Sequence, residues 1–296
     1  RVAMHAARWI VTGASGQLGP HVVPQLAMRG EPILGLARGG DCGTPGVAMR
    51  AIELADVDQL RQAVRELRPT RVVHAGAMSA VADCLADPPR AERCNVEASR
   101  VLAEATAEVG GRMVFTSTDM VFDGTRPPYR ESDPTNPLSA YGRSKARAEQ
   151  ALLAFAHTVV VRIPLMYGFA LNGRRTTFSN QIAALRAGEP LKLFNDEWRT
   201  CVWLADAARA LIGLACSDYA GLIHIAGPER LSRLELITRC ADLLGAQNRN
   251  LVPISRLAAP APEPRPADLS LDGSRFNALL PSFVPGPLRA ECVMLA

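Results

Sequence analysis

The run Gly13-Ala14-Ser15-Gly16-Gln17-Leu18-Gly19 constrains this chain more than any other stretch, because it joins a strand pattern to a helix pattern. Trp9 to Thr12 reads as a short buried strand, and the residues after the turn read as a helix to about Gly30. Glycines at this spacing let the backbone turn tightly and approach a pyrophosphate, while the helix N-terminus offers unpaired N–H groups to the anion. Gly13, Ser15, Gly16, Gln17, Leu18 and Gly19 are therefore candidate cofactor-binding residues.

The alternation continues. Pro32 to Ala37 is a second strand ending at Arg38-Gly39-Gly40, where an adenosine ribose is read; an arginine there accommodates a 2′-phosphate and favours NADP(H) over NAD(H). Asp41 close by works against that reading, and an ordinary surface arginine competes with it. A third strand near Val47 to Leu54 places Glu53 and Leu54 at the ligand edge of the sheet, and Asp56 caps a helix through Leu67. Val72 to His74 is a fourth strand, followed by Ala75-Gly76-Ala77, small enough for a cofactor to lie on the backbone. His74 has no partner at metal spacing and reads as a satisfied strand residue. Asp87 and Pro88 start a long helix that contains Asn95, a residue mildly unfavourable inside a helix. A fifth strand, Met113 to Thr116, delivers Ser117-Thr118-Asp119 to the same edge, and Thr158 to Ile163 is the sixth. Strands alternating with helices predict an α/β fold of the Rossmann type, a doubly wound parallel sheet.

Between the fifth and sixth strands stands Tyr141-Gly142-Arg143-Ser144-Lys145. Pro137 and Ser139 supply the helix start and its cap, so a phenol and an ammonium share one helix face at i and i+4. The chain has 33 Lys and Arg residues together, and only Lys145 and Lys192 are lysines. A compact ammonium at this position does what a planar, permanently charged guanidinium cannot at a crowded site.

Beyond Tyr167-Gly168 comes an arginine-rich turn, Leu171 to Thr177, then helices at Phe178 to Gly188, Asp206 to Cys216 and Leu231 to Gly245, with a strand at Gly221 to Ala226 that rejoins the sheet. Pro260 to Pro266 reads as an extended lid. Residues 1–171 with about 200–228 are expected to form the NADP-binding domain, and 172–199 with 229–296 a smaller substrate-binding lobe. A net charge of +4 spread over the whole chain gives no basic arm, so nucleic acid is not an expected partner, whereas anionic small molecules are. Seven cysteines without a Cys-x-x-Cys pair fit a reducing cytoplasm better than a disulfide framework or zinc ribbon. No apolar run reaches membrane-spanning length, Arg1 to Ala7 lack the apolar core of a signal peptide, and a homodimer is left open.

With these motifs together, the chain resembles the extended short-chain dehydrogenase/reductase superfamily and, within it, the dTDP-4-dehydrorhamnose reductase family. The resemblance runs through Ser117 to Gly124, Tyr141 to Lys145, Arg162 to Gly168 and Arg265 to Asp272. It implies an NADPH-dependent reductase of a nucleotide-linked 4-keto-6-deoxy sugar, with Thr118, Tyr141 and Lys145 as the catalytic trio and Asn95 as an active-site asparagine. Hydride delivered to a ketone leaves an alkoxide that needs a proton, and an ammonium near a phenol is expected to lower its pKa by roughly 1–3 units toward working pH. Lys145 is expected to hold the nicotinamide ribose as well, and Ile163 and Pro164 to line the cofactor site. Ser79, Asp119, Met120, Leu165, Arg199 and Arg265 are expected on the substrate side. Family reductases usually carry a tyrosine where this chain has Met120 and a tryptophan where it has Leu165. No metal-ligand set is expected. The same scaffold also resembles the regulatory beta subunit of methionine adenosyltransferase, which implies a non-catalytic NADP-binding regulator as the competing function; a nucleotide-sugar epimerase is a third.

Overall fold

Trp9–Thr12 is buried along its whole length, which makes it the centre of a sheet (β1) and not an edge. This is a computed structural model, and it describes residues 8–247 and 249–294; the opening stretch Arg1 to Ala7 lies outside them. The chain continues as α1 (Gly19–Ala27), β2 (Ile33–Ala37), β3 (Ala48–Ala51), α2 (Val57–Leu67) and β4 (Arg71–His74). Then come α3 (Val81–Ala86), α4 (Pro88–Glu92), a π-helical turn at Arg93–Glu97, α5 (Ala98–Glu108), β5 (Arg112–Thr118), α6 (Ala140–Leu152) and β6 (Thr158–Ile163). The later elements are β7 (Met166–Tyr167), α7 (Thr177–Ala187), β8 (Leu191–Phe194), β9 (Trp198–Arg199), β10 (Val202–Trp203), α8 (Leu204–Cys216), β11 (Gly221–His224), β12 (Leu231–Ser232), α9 (Arg233–Leu243), β13 (Leu251–Ile254) and α10 (Ser274–Leu279).

Seven strands form the main sheet in the order β11-β6-β5-β4-β1-β2-β3, every neighbouring pair parallel. The α/β doubly wound fold expected from the strand–helix alternation is the one observed. Its two faces are packed separately: Val22, Val23 and Leu26 of α1 join Leu211 and Leu214 of α8 on one, and Leu60 of α2, Leu102 of α5 and Leu152 of α6 cover the other. The order reverses between β1 and β4, so the loops at their carboxyl ends diverge and leave a crevice there.

Helix starts follow local chemistry. The Asp56 carboxylate accepts from Gln59 N at 3.1 Å and Ser139 Oγ from Gly142 N at 3.0 Å. Thr176 with Ser179 and Ser232 with Glu235 form capping boxes at α7 and α9. A further core gathers Tyr167, Phe178, Ile182, Leu193, Leu236 and Ile237 beside the crevice. The segment after the Pro-rich stretch does not stay with that core: Phe276 of α10 and Phe283 pack against the main sheet's own apolar cluster. Among the described residues, no helix is long and apolar enough to cross a membrane.

Candidate active site

A cleft of about 1260 Å³ opens at the carboxyl ends of the sheet and extends to the core around Phe178 and Leu236. The glycine turn forms one wall. Gly13 has φ +67°, and a Cβ there would stand 2.8 Å from Gly76 N, so only glycine lets the first turn and the loop after β4 touch. The N–H groups of Gln17 and Leu18 find no acceptor among the described residues, and α1 begins with no side-chain cap, which leaves its N-terminus free to meet an anion. Gly19 is different. It is buried, and an added Cβ would lie 2.4 Å from Gly13 O, so its smallness seats the helix against the turn without lining the cleft.

Arg38 lines the cleft just beyond β2, is exposed, and has no ion-pair partner among the described residues. Asp41 does not line it; its carboxylate accepts from Gly43 N at 3.0 Å within its own turn. Glu53, Leu54, Ala75, Gly76, Ala77 and Ser79 also line the cleft.

Behind Gly76 runs a buried chain of hydrogen bonds whose donors can be arranged in one way for a neutral His74 ring. Gly76 N donates to Thr12 Oγ1 at 3.0 Å, and Ser99 Oγ donates to Asn95 O at 2.7 Å. The Thr12 hydroxyl must then donate to His74 Nδ1 (2.6 Å), and His74 Nε2–H to Ser99 Oγ (2.9 Å). Burial, aided by the charge of Lys145, pulls the His74 pKa down to about 3, consistent with that neutral ring.

Asn95 sits in the π-helical turn, 1% exposed, and does not reach the cleft. Its Oδ1 accepts from Met78 N at 2.8 Å, and its Nδ2 donates to Met78 O at 3.0 Å and Ser144 Oγ at 2.9 Å. It ties the cleft-lining loop after β4 to α6, and so acts through other residues.

Thr118, Asp119, Met120, Tyr141, Lys145, Ile163, Pro164, Leu165 and Arg199 line the same cleft. Thr118 Oγ1 donates to Asp119 Oδ1 at 3.2 Å and accepts from Met120 N at 3.2 Å. Arg199 Nε lies 3.1 Å from Asp119 Oδ2, but not aligned as a hydrogen bond, so this buried oxygen keeps an unused lone pair. Burial raises the Asp119 pKa against the pull of Arg199. Lys145 is 1% exposed, with Nζ 4.0 Å from the centroid of the Phe115 ring, and burial lowers its pKa to about 7. The expected lowering of Tyr141 is not found: burial first, then the charge of Asp119, raises the phenol and keeps it protonated. Desolvation at this wall outweighs any help from an ammonium whose own charge is disfavoured by burial.

Arg265, expected on the substrate side, stands outside the cleft. Its Nη1 lies 3.4 Å from Glu197 Oε1, and its guanidinium is 4.6 Å from the Phe194 ring centroid. Arginines not singled out beforehand take that side: Arg174, Arg175 and Arg233 line it with Phe178 and Gln181. The arginine-rich turn and the Ser-x-x-Glu cap that places Arg233 first in α9 were the available signals. Among the described residues, no cluster of three or more His, Cys, Asp or Glu could hold a metal.

Comparison with known proteins agrees with this geometry. The family model described as the RmlD substrate binding domain matches residues 7–286. A dTDP-4-dehydrorhamnose reductase of Streptomyces griseus is 33% identical over 280 residues, covering 92% of this chain and 87% of the relative. The methionine adenosyltransferase 2 subunit beta of Xenopus tropicalis is 28% identical, covering 94% of this chain and 84% of the relative. Among solved structures, a hypothetical dTDP-4-dehydrorhamnose reductase from Sulfolobus tokodaii superposes with a TM-score of 0.86 at 26% identity, covering 97% of this chain and 100% of the other.

Proposed function

The chain belongs to the RmlD substrate binding domain family, and from that premise we propose that it is an NADPH-dependent reductase of the keto group of a nucleotide-linked 4-keto-6-deoxy sugar. One observation carries the reading: Thr118 and Tyr141 stand together on the wall of a cleft whose other wall is a glycine turn with unpaired N–H groups.

The residues present fit NADP(H). Gln17 and Leu18 would donate to the pyrophosphate, Arg38 would meet the 2′-phosphate, and Lys145 would hold the nicotinamide ribose. Bound there, the cofactor supplies hydride. The protein does the rest. With substrate bound, Thr118 turns its one hydroxyl proton from Asp119 Oδ1 to the ketone oxygen and fixes its distance from Tyr141, and Tyr141 gives its phenolic proton to the alkoxide as it forms. A phenol held protonated by burial is the correct starting form for a general acid. Arg174, Arg175 and Arg233 would take the nucleotide diphosphate, and the apolar Met120 and Leu165 would face the sugar. The reading places the protein in the cytoplasm, where its seven free cysteines stay reduced.

A second reading, an NADP-binding regulatory subunit, is favoured by the likeness to the Xenopus subunit and by Met120 and Leu165 where reductases carry aromatic residues. The test is NADPH oxidation by the purified protein with a panel of dTDP- and UDP-linked 4-keto-6-deoxyhexoses. Oxidation with one of them supports the reductase. No oxidation by a protein that binds NADPH in parallel titration supports the regulator.

A further inference from the structure

A cluster of buried charges lies behind the cleft wall, and proton transfer at Tyr141 does not itself use it. Glu149 is one helical turn beyond Lys145 on α6, 2% exposed. Arg162 of β6 grips it from the far side: Nε donates to Oε1 at 3.0 Å and Nη2 to Oε2 at 2.7 Å, while Ser117 Oγ donates to Oε1. Arg162 is itself 3% exposed, 4.8 Å from the Phe122 ring centroid, and its Nη1 reaches His224 Nε2 at 3.3 Å. Such a pair loses in desolvation much of what it gains by attraction, so it is weak support for the fold and calls for another role.

We infer that Glu149 is a positioning residue for Lys145: one turn along the same buried face of α6, the carboxylate end of the Arg162–Glu149 pair keeps the Lys145 ammonium charged at the cleft. Among the described residues, Lys145 has no carboxylate within ion-pair distance, and its Nζ rests on the Phe115 ring. The groups that face it are few. His74 on β4 is neutral, with its pKa near about 3, and the Cys84 thiol on α3 is pushed up to about 11 by burial and is also neutral. Tyr141 is protonated, and Asp119 is paired with Arg199. Glu149 is then the nearby anion that opposes the loss of the Lys145 proton to burial. Any consequence for turnover rests on the reductase reading; the charge state of Lys145 does not.

Lys145 and Lys192 are the chain's two lysines, so the full chain labelled with 13C-lysine gives two side-chain Cε signals whose titration reads each ammonium directly. Glu149→Gln is expected to lower the Lys145 midpoint by roughly 1 unit or more. The exposed Lys192 should not move and serves as the internal reference. A Lys145 midpoint unchanged in folded Glu149→Gln overturns the inference. If that variant fails to fold because Arg162 is left unpaired, Glu149→Gln combined with Arg162→Met removes both charges; the Lys145 midpoint should then fall by less, because the repulsion from Arg162 goes too, and a midpoint not below that of the wild type overturns the inference. Absence of NADPH oxidation by the wild type would count against the reductase reading alone, because the NMR comparison needs no turnover.

Discussion

Arg199→Met should destabilise the protein strongly at neutral pH and much less in acid. Asp119 and Arg199 are 4% and 5% exposed, and the guanidinium is the main charge opposing the desolvation of the carboxylate. Methionine keeps the stem's packing and removes the charge, leaving a buried carboxylate with Oδ2 already short of a donor. Breaking such a pair from one side costs about 3–5 kcal/mol. An unfolding entropy of about 2.1 cal/mol/K per residue over 296 residues converts that cost into a Tm lower by about 5–8 °C. The pH dependence follows from the sign of the shift. Asp119 has a folded pKa above its unfolded value, and removing Arg199 raises it further, so stability is retained where the carboxyl is protonated and lost as pH rises through the folded value. Thermal unfolding of the wild type and Arg199→Met at about pH 8 and about pH 5 should show the larger loss at the higher pH. Adding Asp119→Asn should restore most of it. An equal loss at both pH values, or no rescue by the second substitution, would refute the reasoning.

Three further outcomes are expected. Tyr141→Phe should lower kcat by roughly 10²-fold or more, as a lost general acid does, with NADPH affinity within about twofold of wild type by fluorescence titration; unchanged turnover removes Tyr141 from the proton step. Arg38→Asp should weaken NADPH binding by roughly 10- to 100-fold, the worth of a charge-assisted contact, and leave NADH binding nearly unchanged, since no residue among those described pairs with Arg38. Asn95→Ala removes two hydrogen bonds to Met78 and one to Ser144 of α6 and should lower Tm and raise KM for NADPH more than it lowers kcat. A kcat loss as deep as that of Tyr141→Phe would instead put Asn95 in the chemistry.

What could be read without coordinates was mostly local. The glycine turn, the Asp56 and Ser139 caps and the all-buried strand Thr158–Ile163 carry their signals within a few residues, and each element formed where those signals stand. Tyr141 and Thr118 come from separate elements, yet the sheet edge common to both could be inferred from strand–helix alternation. The π-helical turn could not: Asn95 within it bonds Met78 and Ser144, 17 and 49 positions away in sequence, and such partners carry no local signal. Arg265 was misplaced for a similar reason: its partners Glu197 and Phe194 lie far back in sequence and turn it away from the cleft. Burial also decided the protonation states. A phenol and ammonium one turn apart suggest mutual stabilisation in water, but desolvation reverses the direction for Tyr141, and desolvation belongs to the folded protein.

The most direct test of the reductase reading is isotopic: incubate the purified protein with NADPH carrying deuterium at both hydrogens of nicotinamide C4 and a dTDP-4-keto-6-deoxyhexose, then follow whether one deuterium leaves for the sugar. One deuterium on the new carbinol carbon for each NADPH oxidised, lost in Tyr141→Phe, is the result expected of a reductase that uses this cleft. NADPH bound but its deuterium retained, or sugar converted without consumption of NADPH, would contradict it.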